Sequence, residues 1–469
     1  MKRLILLLSV VTVFLLTFLP NLDTDFGWHY RCGKLLLQRQ GSCTTNRFSY
    51  FLGDYRANNP SFIYDAVTAF TYDRFGFTGL SVINALVFSA VFLLLTTILA
   101  PIGAEIILAG LAIILFLSSG VLDLGLRSQL FSYLFFVVFL LIIDRLEQIP
   151  RLVWWLPVIM VVWVNTHIGF VLGPVLVGGY CLEAVGQRRR VKLIATAAAV
   201  TAGATLINPF GWRVYLALFD HLTAPLQTMI AEWTAPPLLQ IVLLVGLTGV
   251  LIYYWVKRHS LSLYRLIVLL ILFIIALQAR RNLPLYYTFF FYCLLSLPVI
   301  RQILVRSRLL TRLRPLSLAL LLIIGLWLLI VRVPATYRFD TIPADYCRLG
   351  LRPLPCEAVQ RYPALKGNIF TMYEWGGYLI WKKPNSRVFV DGRMPAWKDT
   401  RGRSPYQVFL DIIQTKPGWN EVLRQTRTDY LLIENGSFLD LLLRPNPHQF
   451  GWEEQYRDAV AVIYRRSNR

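Results

Sequence analysis

Asp23 and Asp25 stand two residues apart, and Trp28 and His29 follow after Phe26 and Gly27. Two carboxylates and an imidazole can take up a proton, orient a hydroxyl or share a divalent cation, and an indole can lie against a sugar ring. The plain alternative is that acidic residues and a tryptophan merely mark the point where a chain leaves a bilayer. Position decides what the group is worth. It follows directly on Leu4 to Pro20, an apolar segment long enough to cross a membrane. Only Met1, Lys2 and Arg3 precede that segment, and basic residues are retained inside, so the acids should emerge on the outer face. A cleaved signal peptide would start similarly, but Phe18-Leu19-Pro20 lacks the small-residue cleavage pattern. An uncleaved first helix is expected.

The chain is 56% hydrophobic, with mean hydropathy +0.55. Repeated apolar runs of this kind imply a mainly α, polytopic transmembrane bundle, because a lipid-exposed backbone must satisfy its own hydrogen bonds. Eleven spans are expected, near 4–20, 79–99, 103–120, 128–145, 152–166, 168–186, 192–207, 238–256, 262–279, 283–300 and 316–333. Basic residues concentrate in the alternate connections, among them Arg188-Arg189-Arg190 and Arg306 to Arg314, which places the N-terminus inside. The net charge of +21 is then orientation and anionic-lipid contact, and no nucleic-acid partner is needed.

Hydropathy falls after Val333. The expected domains are a transmembrane one over 1–333, with a long first outer loop at 21–78, and an extracytoplasmic α/β domain over 334–469. Strand-like runs lie at 388–390, 430–433 and 459–464, with a helix around Val408 to Ile413. Four cysteines form two local pairs on the side assigned as outer, Cys32 with Cys43 and Cys347 with Cys356, where disulfides persist. Cys181 and Cys293 fall inside spans as free thiols, and no spacing suits a zinc site.

Further polar groups recur at outer ends. Asn165 and His167 lie in Trp163 to Phe170 at a turn between spans, where they either bridge a helix pair or serve a site. Asn208-Pro209-Phe210-Gly211-Trp212 reads first as a helix stop. Glu232-Trp233 follows, and Arg280-Arg281 ends the ninth span on the side that disfavours arginine. Guanidinium forks suit phosphate oxygens, although snorkelling to lipid head groups is the plain reading of either one alone. Glu374 and Trp375, in Tyr373 to Tyr378, and Asp391 and Arg393, in Val390 to Arg393, are a carboxylate–aromatic set able to hold a sugar, or else turn chemistry.

Taken in order, D-x-D-x-x-W-H at 23–29, R-x-Q-x-F-S at 127–132, W-x-N-x-H-x-G-F at 163–170, N-P-F-G-W at 208–212, E-W at 232–233, and E-W-G-G-Y-L with V-D-G-R at 374–393 resemble a group of largely uncharacterised bacterial GT-C-like proteins. The GT-C superfamily comprises integral-membrane glycosyltransferases that use polyprenyl-phosphate-linked sugars. The resemblance spans nearly the whole chain, with one departure: Ser128 replaces the proline expected between Arg127 and Gln129. It implies transfer of a sugar from a polyprenyl-phosphate donor to a glycan, lipid or protein acceptor at the outer face of a bacterial inner membrane. Asp23 or Asp25 would be the base, Arg280 and Arg281 the phosphate ligands, and His29 and His167 orienting groups. Trp28, Asn165, Glu232, Trp233, Glu374, Trp375, Asp391 and Arg393 complete the expected substrate contacts. Some GT-C members use a divalent metal (Mg or Mn) on such acids and others none, so a metal on Asp23 and Asp25 stays open. A transporter would place charges deep in its spans, and these spans are nearly free of them. A non-catalytic scaffold for cell-surface polysaccharide, and a ligase-like enzyme that dispenses with the first-loop acids, are the other readings.

Overall fold

The apolar runs fold as helices here, and a proline breaks one at Pro298 while helix Arg308–Thr341 runs on through Pro315 and Pro334. The computed structural model describes residues 1–20, 23–58, 60–100, 102–118, 124–258, 261–341, 347 and 353–467. Positions 119–120 of the expected third span lie outside the described residues. Among the described residues, five helices are long and apolar enough to cross a bilayer: Phe62–Ile98, Ser128–Arg145, Ile168–Gly186, Ala231–Arg258 and Arg308–Thr341. Arg280–Ser296 and Pro298–Arg306 together make a further candidate, bent by 74°. The bend has a local cause, since Leu297 is extended before Pro298, as a residue preceding proline prefers. Shorter apolar helices cover Ala104–Leu117, Pro150–Val164, Val191–Ala204 and Leu263–Gln278, and Lys2–Thr17 forms the first helix.

The chain divides into two units. One comprises Met1–Asn21, Thr78–Val214 and Ile230–Tyr337; the other comprises Leu22–Phe77, Tyr215–Met229 and Arg338–Arg469. The helical unit is packed around Phe92, Phe136, Phe139, Trp163, Phe170 and Phe289, all fully buried. Helix Phe62–Ile98 is in fact two helices joined at Gly76, whose φ of 60° and ψ of −156° are open only to glycine. The Phe77 amide freed by this break donates to Asp340 at 2.7 Å.

The second unit is built on a five-stranded sheet. Its strands are β1 (Gly367–Thr371), β2 (Ser386–Val388), β3 (Tyr430–Glu434), β4 (Trp452–Arg457) and β5 (Ala461–Arg466), in the order β2-β1-β3-β5-β4. The β1–β2 and β1–β3 pairs are parallel, and β3–β5 and β4–β5 are antiparallel. The edge at β2 is covered rather than left open. Residues 48–50 lie along it: the Val388 amide donates to the Phe48 carbonyl (2.9 Å), the Tyr50 amide to the Val388 carbonyl (3.2 Å) and the Ser49 hydroxyl to the Phe389 carbonyl (2.9 Å). The first loop therefore belongs to the same folded body as the C-terminal sheet. It is also partly helical, at Phe26–Leu37 and from Phe62 onward, where the sequence suggests only a loop. Both expected disulfides form, Cys32–Cys43 and Cys347–Cys356, and Cys181 and Cys293 are free.

Candidate functional site

Two helices meet without side chains between them, and that contact places the acidic motif. A Cβ on Gly27 would overlap the carbonyl of Gly377, and one on Gly377 would overlap the carbonyl of Thr24. Helix Phe26–Leu37 thus lies directly on helix Gly376–Lys382. Gly392 is equally bare where it faces Asp25, whose carboxylate occupies the space a side chain would need. The three motifs D-x-D…W-H, E-W-G-G-Y and V-D-G-R, far apart in sequence, converge here, and their glycines are what permit it. Asp23 is buried, and its Oδ1 accepts from the Asp25 amide at 3.2 Å, a turn that fixes the entry to the helix.

His29 is buried beside Asp65, with Nδ1 2.5 Å from Asp65 Oδ1. The indole of Trp28 lies against the imidazole at 3.5 Å between ring centroids. Tyr373 is surrounded by acids: burial first, then the charges of Asp25, Tyr406, Asp391 and Glu374, push its phenol well above its ordinary value. It is a neutral O–H at any physiological pH, among carboxylates that accept.

Asp391 and Arg393 are spoken for by each other. Arg393 donates from Nε to Asp391 Oδ1 (2.8 Å) and from Nη2 to Oδ2 (2.7 Å), and Nη2 also reaches Asn46 Oδ1 at 3.1 Å. The guanidinium is boxed by the rings of Trp28, Phe48 and Trp397, with centroids 5.1–5.9 Å away. The pair braces the turn that carries Gly392 and thereby the wall behind Asp25. Trp375 is likewise interior, its indole N–H donating to the Pro353 carbonyl at 3.1 Å, while Glu374 beside it is partly exposed.

The helical unit gathers the remaining motifs. Arg281 Nη1 donates to Glu232 Oε1 (3.1 Å) and Nη2 to Gln129 Oε1 (3.2 Å), and its guanidinium lies 4.4 Å from the Trp233 ring centroid. Arg127 Nη1 lies 3.6 Å from the second oxygen of Glu232. The Arg280 amide donates to the Thr234 carbonyl at 3.0 Å, and among the described residues its buried Nε has no hydrogen-bond partner. Two guanidinium groups on one carboxylate leave an excess of positive charge suited to an anion. His167 sits in a relay: Trp163 Nε1 donates to Ser132 Oγ (2.8 Å), Ser132 Oγ is 2.7 Å from His167 Nδ1, and the Gly169 amide donates to that same nitrogen at 3.0 Å. An accepting Nδ1 puts the proton of the neutral ring on Nε2. Asn165 donates to the carbonyls of Val161 and Ile207, both at 2.8 Å, and so ties this turn to the start of the N-P-F-G-W segment.

Sequence reasoning did not single out Asp65, Tyr373, Asn46 or Gln129. Gln129 and Tyr373 lie inside recognised motifs, whereas Asp65 and Asn46 carry no local signal. Among the described residues no group of three or more His, Cys, Asp or Glu side chains is arranged to hold a metal ion. Asp23 and Asp25 could offer one or two carboxylates to an ion whose other ligands were water and phosphate, the usual habit of Mg²⁺.

No protein-family model matches the chain, and no curated protein matches it in sequence. Solved structures do. An archaeal oligosaccharyltransferase, AglB from Archaeoglobus fulgidus, in complex with an inhibitory peptide and a dolichol-phosphate, superposes with a TM-score of 0.59 at 12% identity, covering 92% of this chain and 69% of that one. The oligosaccharyltransferase of the same organism tethered to an acceptor peptide gives 0.53 at 12% identity, covering 99% and 74%. Its complex with Zn and sulfate gives 0.53 at 13%, covering 99% and 73%. At such identities the likeness is one of fold. By its apolar helices, its C-terminal sheet and this likeness, the chain is a multi-pass membrane protein with a GT-C-like fold.

Proposed function

We propose that this chain is a glycosyltransferase that moves a sugar from a polyprenyl-phosphate-linked donor to an acceptor at the outer membrane face. The observation that carries the reading is the convergence of the first-loop acids with the 374–393 motifs, within a fold like that of an enzyme solved with dolichol-phosphate and with acceptor peptide. Asp25, or its neighbour Asp23, takes the proton from the acceptor hydroxyl as the new glycosidic bond forms. Arg281, Arg280 and Arg127 carry the charge that a departing phosphate develops. His29 and His167 orient hydroxyls, and Glu374 with Tyr373 offers polar contacts for a sugar. A divalent ion on Asp23 and Asp25 would add charge neutralisation of the donor's phosphate. The N-terminus is inside and the sheet-bearing unit outside.

The test is transfer from a lipid-linked sugar by purified, folded protein. Loss of a general base typically costs about 10²–10⁴-fold in rate, so Asp25→Asn or Asp23→Asn should fall by that much at unchanged melting temperature. Wild-type turnover in both variants would remove the first-loop base from the mechanism.

A further inference from the structure

His29 is held on three sides. Asp65 Oδ1 meets Nδ1 at 2.5 Å, the Trp28 ring covers one face at 3.5 Å between centroids, and the Tyr64 ring meets it edge-on at 4.6 Å. Asp65 is itself fixed, since the Ser61 hydroxyl donates to its other oxygen at 3.1 Å. It also stands in the first turn of the helix that begins at Phe62, where the backbone favours a negative charge. Both partners are nearly inaccessible, His29 at 5% and Asp65 at 4% exposure. Burial raises the Asp65 carboxyl above its ordinary value, opposed by His29, by the Ser61 hydroxyl and last by the Arg393 guanidinium, itself occupied by Asp391. Among the described residues Nε2 of His29 makes no hydrogen bond. A packing histidine has no need of a dedicated, buried carboxylate, because a backbone carbonyl or water would satisfy its N–H as well.

We infer that Asp65 is a positioning residue that locks the His29 tautomer. As a carboxylate it accepts Nδ1–H, which leaves Nε2 with a lone pair. That nitrogen accepts a hydrogen bond from a hydroxyl of the bound donor sugar or of the acceptor. This assignment deepens the proposed transferase reading and rests on it for the identity of the hydroxyl, though not for the tautomer. Asn in place of Asp keeps size and shape but presents an amide N–H to Nδ1, which forces the proton onto Nε2 and turns an acceptor into a donor.

Two measurements test it. In protein carrying ¹⁵N-histidine, the His29 signals, identified by their loss in His29→Gln, should report Nδ1–H in the wild type and Nε2–H in Asp65→Asn. In the transfer assay Asp65→Asn should lose about 10- to 100-fold in kcat/KM, the usual penalty for losing such an orienting partner, and nothing further when added to His29→Gln. The rise in KM should fall on whichever of donor or acceptor supplies the hydroxyl. An Nε2–H signal in the wild type overturns the inference even if Asp65→Asn does not fold. So does an Asp65→Asn loss that is undiminished in the His29→Gln background. Absence of any transfer by the wild type would sink the function proposed above, while the nitrogen spectrum would still decide on the lock.

Discussion

Replacing Gly27 with alanine puts a methyl group where the carbonyl of Gly377 already is. The new Cβ would lie 2.6 Å from the Gly377 carbonyl carbon and 3.1 Å from Trp381 Cβ. Ordinary contact begins at 3.4 Å and the carbonyl oxygen is nearer still, so the backbone of helix Gly376–Lys382 must withdraw by more than about 0.8 Å from helix Phe26–Leu37, or the reverse. Neither backbone can yield by a rotamer change, and overpacking of this kind costs about 1–3 kcal/mol. The functional effect should be larger than the thermodynamic one. Asp25 caps the moving helix and His29 rides on it, while Gly392 and Tyr373 stay with the other side. A displacement near 1 Å of positioned groups can cost about 10²-fold in rate. Gly27→Ala should therefore lower transfer by roughly 10²-fold while the protein still folds, with Gly377→Ala similar. Gly178→Ala serves as the control, because a Cβ there meets nothing within 4 Å and sits in the helix Leu172–Gly186. It should leave rate unchanged and raise stability by up to about 1 kcal/mol. Steady-state transfer kinetics and thermal unfolding of the three variants suffice. Undiminished turnover in Gly27→Ala would refute the idea that this helix contact sets the geometry of the acids.

Arg393→Ala should destabilise the sheet-bearing unit by about 3–5 kcal/mol, because it strands the fully buried Asp391 carboxylate. A melting temperature within a degree of the wild type would argue against the brace. Arg281→Ala should raise the donor KM and lower turnover, and Arg281→Lys should recover only part of the loss, since an ammonium cannot bridge Glu232 and Gln129 or stack on Trp233 as a planar fork does. Asp440 supplies a pH dependence. Burial alone would raise its carboxyl, but the donors Arg457, the Gly436 amide, Tyr464 and Arg444 outweigh that and hold it at about 2. A folded value below the unfolded one near 3.8 contributes stability at higher pH that is lost as pH falls from about 4 through about 2, some 2 kcal/mol in all. Hydrogen exchange of β5 amides across that range should show the loss in the wild type and a flat profile in Asp440→Asn.

The sequence was most readable where one physical pressure dominates. Helices occur in each region that apolar runs marked, and both local cysteine pairs close because nine- and eleven-residue separations bring their Cα atoms to 5.9 and 5.6 Å. The runs at 430–433 and 459–464 became β3 and most of β5, since apolar, β-branched side chains fill a sheet core. β4 escaped notice because Trp452 to Arg457 is largely polar, as an edge strand beside solvent can be. β1 escaped because five residues opened by a glycine carry too little pattern. The helical part of the first loop was hidden because its packing is tertiary, against Tyr72 and Phe77 in the next helix and against Trp381 more than three hundred positions away. The same holds for the site: motif order was legible, but pairing was not. Nothing local links Asp65 to His29 or Asn46 to Arg393, because each link spans a fold that only the tertiary structure creates.

The strip of first loop along β2 sets a schedule for making the protein. Ser49 and its partner Phe389 are separated by 340 residues, most of them in helices that must enter the membrane in between. At roughly 5–20 residues per second of synthesis, the loop waits about 20–70 s for the strand it will cover. During that interval it must hold its shape and avoid other partners without its sheet. The Cys32–Cys43 bond needs nothing downstream, so it can close as soon as both thiols meet an oxidant and keep helix Phe26–Leu37 beside the segment that later docks. The acids and His29 are thus placed on a preassembled piece, and the site is completed only when the last part of the chain arrives.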